Sequence, residues 1–332
     1  MATLKDVAKL AGVSTTTVSI VLNGKVGSNR VSMKTQEKIL DAVRTLNYKP
    51  NLSARKLKTT LPHQFTLAIY WPRNARKNYL ANVIGFIDVA LKRLNFKCEL
   101  IIKFYERGAL NLEGGLSNTS LFDAAIIGAL TNEDMDFLAK FKPAIPVVLF
   151  NRKVSGYPSV VNVSEEAFDF IIQKSRSMAI SHISIFKSND PYLATRDRMQ
   201  KFIEKCSQNQ YQLSHFTNTS NFEGGYQLGQ EWLALNKPST FIFCETENIA
   251  IGAIKALLEH NVKIPEDVRI AAISYSEIDY TQFITPNLTV AQLPTEKMAN
   301  AIVKMLYQHL MHGTEMNEVQ TFELELLERA SF

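Results

Sequence analysis

Cysteine is scarce in this 332-residue chain, and the three present, Cys98, Cys206 and Cys244, are scattered. None pairs with another at a metal-ligand spacing, so no cysteine-built metal site is expected; each reads as a small apolar filler in a reducing compartment. No apolar run approaches the roughly 20 residues that cross a bilayer, so no membrane partner is expected. The first 20 residues lack an apolar signal core and carry lysines and an aspartate instead, so the expected location is cytoplasmic. A nucleophile elbow and a phosphate-binding glycine loop are both missing. His63, His182, His215, His260, His309 and His312 are dispersed. No catalytic residue, metal site or cofactor is therefore expected. Acidic residues are scarce at one end only: residues 1–60 hold 11 Lys/Arg against 3 Asp/Glu, whereas the remainder holds 26 against 29. A basic terminus on a slightly acidic body is the electrostatic footprint of a nucleic-acid-binding head.

What is present begins with helical spacing. In Ser14 to Asn23, Val18, Val21 and Leu22 recur at i, i+3, i+4 and give a short helix an inward face. Thr16, Ile20 and Asn23 project from the opposite side with Ser19 at its edge, and an isoleucine there is unexpected if that side meets only water. Upstream, Leu4, Val7, Ala8 and Ala11 form a second stripe, ended by Gly12 at a C′ position. Two short helices joined by a small-residue turn are the helix-turn-helix pattern, whose second helix enters the major groove. Thr3 with Asp6 reads as a capping-box-like start. Residues 24–30 read as an irregular loop. Ser32 caps a third helix carrying Ile39, Leu40, Val43 and Leu46, which Pro50 ends. Residues 51–60 are basic and poor in apolar side chains, a tether or at most a marginal helix when alone.

From Phe65 the pattern changes to short β-rich runs alternating with helical stretches. Strands are predicted at 65–71, 97–104, 124–127, 147–150, 182–186, 240–244 and 268–274, and helices at 79–94, 133–141, 165–179, 193–206 and 249–259. Gly224-Gly225 reads as the opening of another helix. Such alternation implies parallel sheets with right-handed crossovers. Two rounds of it imply an α/β body of two doubly wound lobes, with a ligand cleft at the carboxyl ends of the strands. A length of 332 residues and 46% hydrophobic content suit that body plus a small all-α head.

The run Thr3 to Ser14, with Thr17-Val-Ser19, Val21-Leu-Asn23, Val31-Ser32, Thr35, Asn47-Tyr48, Pro50-Asn51 and residues 54–57, resembles the head of the LacI/GalR family of bacterial transcription repressors. Ile264-Pro-Glu-Asp-Val268 and Thr285-Pro-Asn-Leu-Thr289 resemble that family's C-terminal pattern. The resemblance implies a helix-turn-helix head over 1–50, a hinge over 51–62, and a periplasmic-binding-protein-like, dimerising body over 63–332 whose chain crosses between lobes near 160, 290 and 320. It implies a homodimer on a palindromic double-stranded operator. The implied DNA contacts are Thr3, Lys5, Ser14, Thr15, Thr16, Thr17, Ser19, Ile20, Asn23 and Lys34, with Ala54, Arg55, Lys56, Leu57 and Lys58 in the hinge. Thr15, Thr16 and Ile20 would meet base edges. Leu57 would wedge into the minor groove and kink the duplex.

For a small-molecule effector, possibly a sugar or sugar-like compound, the resemblance implies Asn151, Arg152 and Arg198. Arginine suits oxygen-rich ligands because its fork donates paired hydrogen bonds; the plain alternative for Arg198 is a surface arginine pairing with Asp197 or Glu204. Two other places depart from the family's pattern, Thr246-Glu247 and Tyr275-Ser276-Glu277, and the absence of a carboxylate at Ser276 argues against an ordinary hexose. Tyr70 and Trp71, ending the first strand, are candidates to stack on a ligand ring and are equally read as packed. The expected function is therefore a repressor of a metabolic operon answering to a small molecule between the lobes. A protein co-repressor docking on the body is the alternative, and an enzyme with an accessory DNA-binding head is a further one.

Overall fold

The computed structural model describes residues 4–22, 31–46, 64–73, 75, 77–189, 193–236, 239–275 and 280–332. The chain divides into two units, Met1–His63 and Gln64–Phe332. In the first, α1 (Leu4–Ala11), α2 (Thr15–Leu22) and α3 (Met33–Thr45) enclose a core of Val7, Ala8, Ala11, Val18, Ile39 and Ala42. Gly12 turns the chain out of α1 at φ +66°, while the amide of Val13 donates to the carbonyl of Ala8 at 3.0 Å. That is the left-handed C-terminal cap a residue without Cβ adopts at least cost. Ser14 Oγ accepts from the Thr17 amide at 3.1 Å and starts α2, and Ser32 Oγ accepts from the Thr35 amide at 3.3 Å at the start of α3. Among the described side chains, which leave out those of Leu4 and Leu22, one expected core residue fails: Leu40 is 44% exposed. It lies about 100° around the helix from Ile39, and Ala42 takes the inward place instead. The Thr3 cap, the 24–30 loop, Pro50 and the tether lie outside the described residues.

The second unit is built on two six-stranded sheets. The first has β1 (Phe65–Pro72), β2 (Cys98–Tyr105), β3 (Ala124–Gly128), β4 (Val147–Phe150) and β5 (Ser159–Val163), joined by α4 (Lys77–Arg93) and α5 (Asn132–Lys140). A strand from the far end of the chain completes it. The second lobe follows with α6 (Glu165–Ser177), β6 (His182–Ser188), α7 (Leu193–Gln208), β7 (Gln212–Asn218), α8 (Phe222–Ala234), β8 (Phe241–Cys244), α9 (Glu247–Glu259), β9 (Arg269–Ser274) and β10 (Thr289–Gln292). Then α10 (Thr295–His312) packs back on α4 and the first sheet, β11 (Val319–Glu323) joins that sheet beside β5, and β12 (Glu325–Leu327) joins the second beside β10. The sheet orders are β11-β5-β4-β3-β1-β2 and β12-β10-β9-β8-β6-β7, parallel throughout except at β12. The chain thus passes between lobes at Ser164, at Leu293-Pro294 and at Leu324.

β1, β3, β4, β8 and β9 are buried along nearly their whole length, as central strands covered on both faces by helices must be. Close packing of α8 on α9 depends on two glycines. A Cβ at Gly252 would lie 2.0 Å from the carbonyl oxygen of Phe222, and one at Gly225 would lie 2.2 Å from that of Ile249. Cys206 and Cys244 are buried; burial pushes the Cys206 thiol up to about 12, so it is an inert filler. No helix among the described residues is long and apolar enough to cross a membrane.

Candidate functional site

On α2, Thr16 is exposed and Ile20 half-buried, about 40° apart on the side away from Val18, whereas the half-buried Thr15, the first residue of the helix, lies nearer its inward face. Lys5 on α1 and Lys34 on the first turn of α3 are exposed. Ser14 and Thr17 are already engaged, since their hydroxyls lie 2.8 Å apart while Ser14 caps the helix. Of Ser19 only the backbone, within α2, is described. Thr3, Asn23, Ala54, Arg55, Lys56, Leu57 and Lys58 lie outside the described residues.

In the body, the carboxyl ends of β1, β3, β4 and β9 face a cleft of about 540 Å³, partly open to solvent. Trp71, Ala75, Tyr79, Ala129, Leu130, Thr131, Phe150, Asn151 and Arg152 line it from the first lobe, with the exposed Arg107; Ala194, Thr195, Arg198 and Tyr275 line it from the second. Its apolar wall is a cluster of rings: Trp71 and Tyr79 each lie within 6.4 Å of Phe150 and 6.3 Å of one another, and Tyr79 meets Tyr275 edge-on at 6.1 Å. Trp71 is fixed by donating Nε1–H to the Ala75 carbonyl at 2.8 Å. Two strands end in left-handed residues, Ala129 after β3 (φ +54°) and Asn151 after β4 (φ +57°), and both line the cavity. For alanine that conformation is strained by roughly 1–2 kcal/mol, and such strain gathers at ligand sites.

A polar chain joins the two lobes across this cleft. Asn162 on β5 donates Nδ2–H to Asn151 Oδ1 at 2.5 Å and accepts from Arg198 Nη1 at 3.0 Å; Arg198 Nη2 donates to Tyr275 Oη at 2.9 Å. Arg198 is 6% exposed and its Nε has no acceptor, so pairing with Asp197 or Glu204 on a helix surface is excluded. Arg152 donates to the carbonyls of Leu130 (3.3 Å) and Asn151 (3.0 Å). Burial, with the neighbouring charge of Arg198, lowers its pKa to about 10, and it remains a cation at neutral pH.

The expected set is thus divided. Asn151, Arg152, Arg198 and Trp71 converge on the cleft. Tyr70 does not: neighbouring strand residues face opposite sides of a sheet, and Tyr70 is buried beneath the other face, edge-on to Phe122 at 6.3 Å. Thr246 and Glu247 do not either. Thr246 is the N-cap of α9, accepting from the Ile249 amide at 3.4 Å, and its hydroxyl is used there. Glu247 is buried behind the cleft and accepts from the Tyr275 amide at 3.2 Å and from Tyr280 Oη at 3.4 Å. It holds the Tyr275 segment rather than a ligand. Ser276 lies outside the described residues. Sequence reading missed Tyr79, Phe150 and Asn162, and in Tyr275-Ser276-Glu277 it chose Ser276 where Tyr275 lines the cavity. Of the three missed outright, Asn162, a polar interruption in Val160-Val161-Asn162-Val163, left a signal that could have found it.

Residues 3–51 match the family described as bacterial regulatory proteins, lacI family, and residues 176–332 match the periplasmic binding protein-like domain. The probable HTH-type transcriptional repressor ExuR of Bacillus subtilis (strain 168) is 28% identical over 311 residues, which is 90% of this chain and 89% of that protein. A LacI family transcription regulator from Clostridium acetobutylicum has a TM-score of 0.75 at 26% identity, over 80% of this chain and 99% of that one. The Lac repressor dimer bound to operator and the anti-inducer ONPF shares the fold, with a TM-score of 0.70 at 21% identity over 99% of this chain and 98% of that one.

Proposed function

Since the chain belongs to the LacI family of bacterial regulatory proteins and is a DNA-binding transcriptional repressor, we propose that it silences a metabolic operon and that a small molecule in the inter-lobe cleft sets its affinity for the operator. The observation that carries this reading is the bridge Asn162–Arg198–Tyr275. One buried guanidinium lines the cavity while holding a strand of the first lobe and the strand end of the second. A ligand that engages Arg198 therefore acts on the bonds that set how the lobes close, and it shifts the equilibrium in proportion to its preference for one closure state.

On the DNA side, Thr15, Thr16 and Ile20 read base edges, Lys5, Lys34, Arg55, Lys56 and Lys58 neutralise phosphates, and Leu57 wedges into the centre of an inverted repeat bound by a homodimer. The likeness of fold to the Lac repressor dimer bound to operator supports that arrangement. The test is to recover the operator from a randomised DNA pool with the full chain, then follow its affinity by fluorescence anisotropy while small metabolites are added. A palindromic site whose affinity changes with a metabolite, and no longer changes in Arg198→Ala, is the expected result. A response that persists in Arg198→Ala overturns the role given to the bridge.

A further inference from the structure

The hydrogen-bonding groups of the cleft are arranged with one polarity. Its oxygen acceptors are largely committed within the protein: Asn151 Oδ1 to Asn162, Tyr275 Oη to Arg198, and the carbonyls of Leu130 and Asn151 to Arg152. Thr131 Oγ1 both donates to Asp134 Oδ2 and accepts from the Asp134 amide. What stays unused is mostly donors. A guanidinium carries five N–H groups; Arg198 spends two and leaves Nε without an acceptor, and Arg152 Nη2 has no partner among the described residues.

Charge repeats the pattern. No aspartate or glutamate lines the cavity among the described residues, and neither Arg152 nor Arg198 has a carboxylate within ion-pair distance there. Among the described residues, two like charges sit beside one cavity and hydrogen-bond only to backbone and neutral side chains. The Asp197 carboxylate attracts Arg152 from beyond ion-pair distance, but more weakly than Arg198 repels it, so the empty cavity costs free energy. A neutral sugar is a poor complement, because each hydroxyl brings a proton that needs an acceptor as well as a lone pair that takes one. A carboxylate or phosphate brings only acceptors and a compensating charge.

Resting on the effector reading above, we infer that the cleft is built for a small anion: a carboxylate or phosphate engaged by Arg152 and Arg198, on a ring-bearing body that packs against Trp71, Tyr79, Phe150 and Tyr275. Charge-assisted bonds of this kind make the charged form bind on the order of 10- to 100-fold tighter than its neutral counterpart.

The experiment uses one ring in three charge states, glucose, glucuronate and glucose 6-phosphate, with inorganic phosphate as the minimal probe. The full chain is followed by thermal unfolding and by operator anisotropy, at matched ionic strength. The expected result is that an anion raises the unfolding midpoint and shifts operator affinity where glucose does neither, the two charged sugars distinguishing carboxylate from phosphate. In Arg152→Gln the anion effect is lost, while the ligand-free midpoint rises, because the amide still serves the two carbonyls and the like-charge repulsion is gone. Glucose acting as strongly as the charged forms overturns the anion inference and leaves the effector reading standing. A ligand-free Arg152→Gln that unfolds several degrees lower makes the arginine a structural tie and also overturns it. Silence from every probe on both readouts counts against the inference and the effector reading together.

Discussion

Replacing Gly252 by alanine sets two effects of opposite sign against each other. In a helix interior alanine is favoured over glycine by about 1 kcal/mol, so propensity alone makes Gly252→Ala stabilising. The added methyl, however, would stand 2.0 Å from the Phe222 carbonyl oxygen and 2.6 Å from the Tyr226 amide nitrogen, both backbone atoms of α8. Reaching an ordinary contact of 3.4 Å requires the helices to part by about 1.4 Å, and gaps of 0.5–1 Å already forfeit a quarter to a half of a dispersion contact. Overpacking of this kind costs about 1–3 kcal/mol, and more where backbone has to move, so sterics win and a net loss of roughly 2–4 kcal/mol is expected. For a body of this size each kcal/mol moves the midpoint by about 2–4 °C, which puts the fall at roughly 4–16 °C in a thermal scan followed by circular dichroism. Gly225→Ala, facing a carbonyl at 2.2 Å, should match it. Gly229→Ala, whose nearest obstacle is the Ala256 methyl at 2.8 Å, should cost less. If Gly252→Ala unfolds at or above the wild-type temperature, the helices separate freely and the argument from close approach is wrong.

Two further outcomes are expected. Asp134 is fully buried and accepts from Tyr105 Oη, the Leu110 amide, and both the amide and the hydroxyl of the cleft residue Thr131. Asp134→Ala strands these donors at about 1–3 kcal/mol for each one left unpaired, so urea denaturation should show several kcal/mol lost; a loss under 1 kcal/mol would mean the pocket refills with water. Ile20→Arg should move base preference toward G·C at one half-site position, by about 1–3 kcal/mol if the guanidinium reaches guanine O6 and N7. Site selection on both proteins reads this directly, and an unchanged preference removes Ile20 from the base-reading set.

Where a physical pattern has one reading, the sequence revealed it. The head's helices follow from apolar spacing and from Gly12 and Ser14 at their ends, and the central strands from unbroken runs such as Ala124–Gly128 and Val147–Phe150. β7 and β11 left no such mark. They are edge strands with largely uncovered sides, and Gln212–Asn218 mixes polar and apolar residues without a clean alternation. In the cleft, Arg198 was legible from the family resemblance alone, since nothing in the sequence of α7 says that Arg196 is exposed and Arg198 buried. Tyr70 and Trp71 were not separable, since a period of two guarantees that one of a neighbouring pair faces the site without saying which. Thr246 and Glu247 show the same limit at a strand-to-helix turn, where one residue is drawn into the cap and the next behind the wall.

The three passages between lobes have a consequence for how the protein is made. Neither sheet is finished by a contiguous stretch of chain: β11 closes the edge of the first beside β5, and β12 closes the second beside β10. The last residues are then sewn into the interior, where Ser331 Oγ accepts from the Thr289 amide and donates to the Ile270 carbonyl, and Phe332 stacks on Phe241 at 4.5 Å. On the ribosome, where domains generally fold as units from the N-terminal side, the head needs only its own first segment. The body has no such head start. Until residues 319–332 have left the exit tunnel, both of its sheets stand with an additional open edge, exposed to strand-pairing and to proteases.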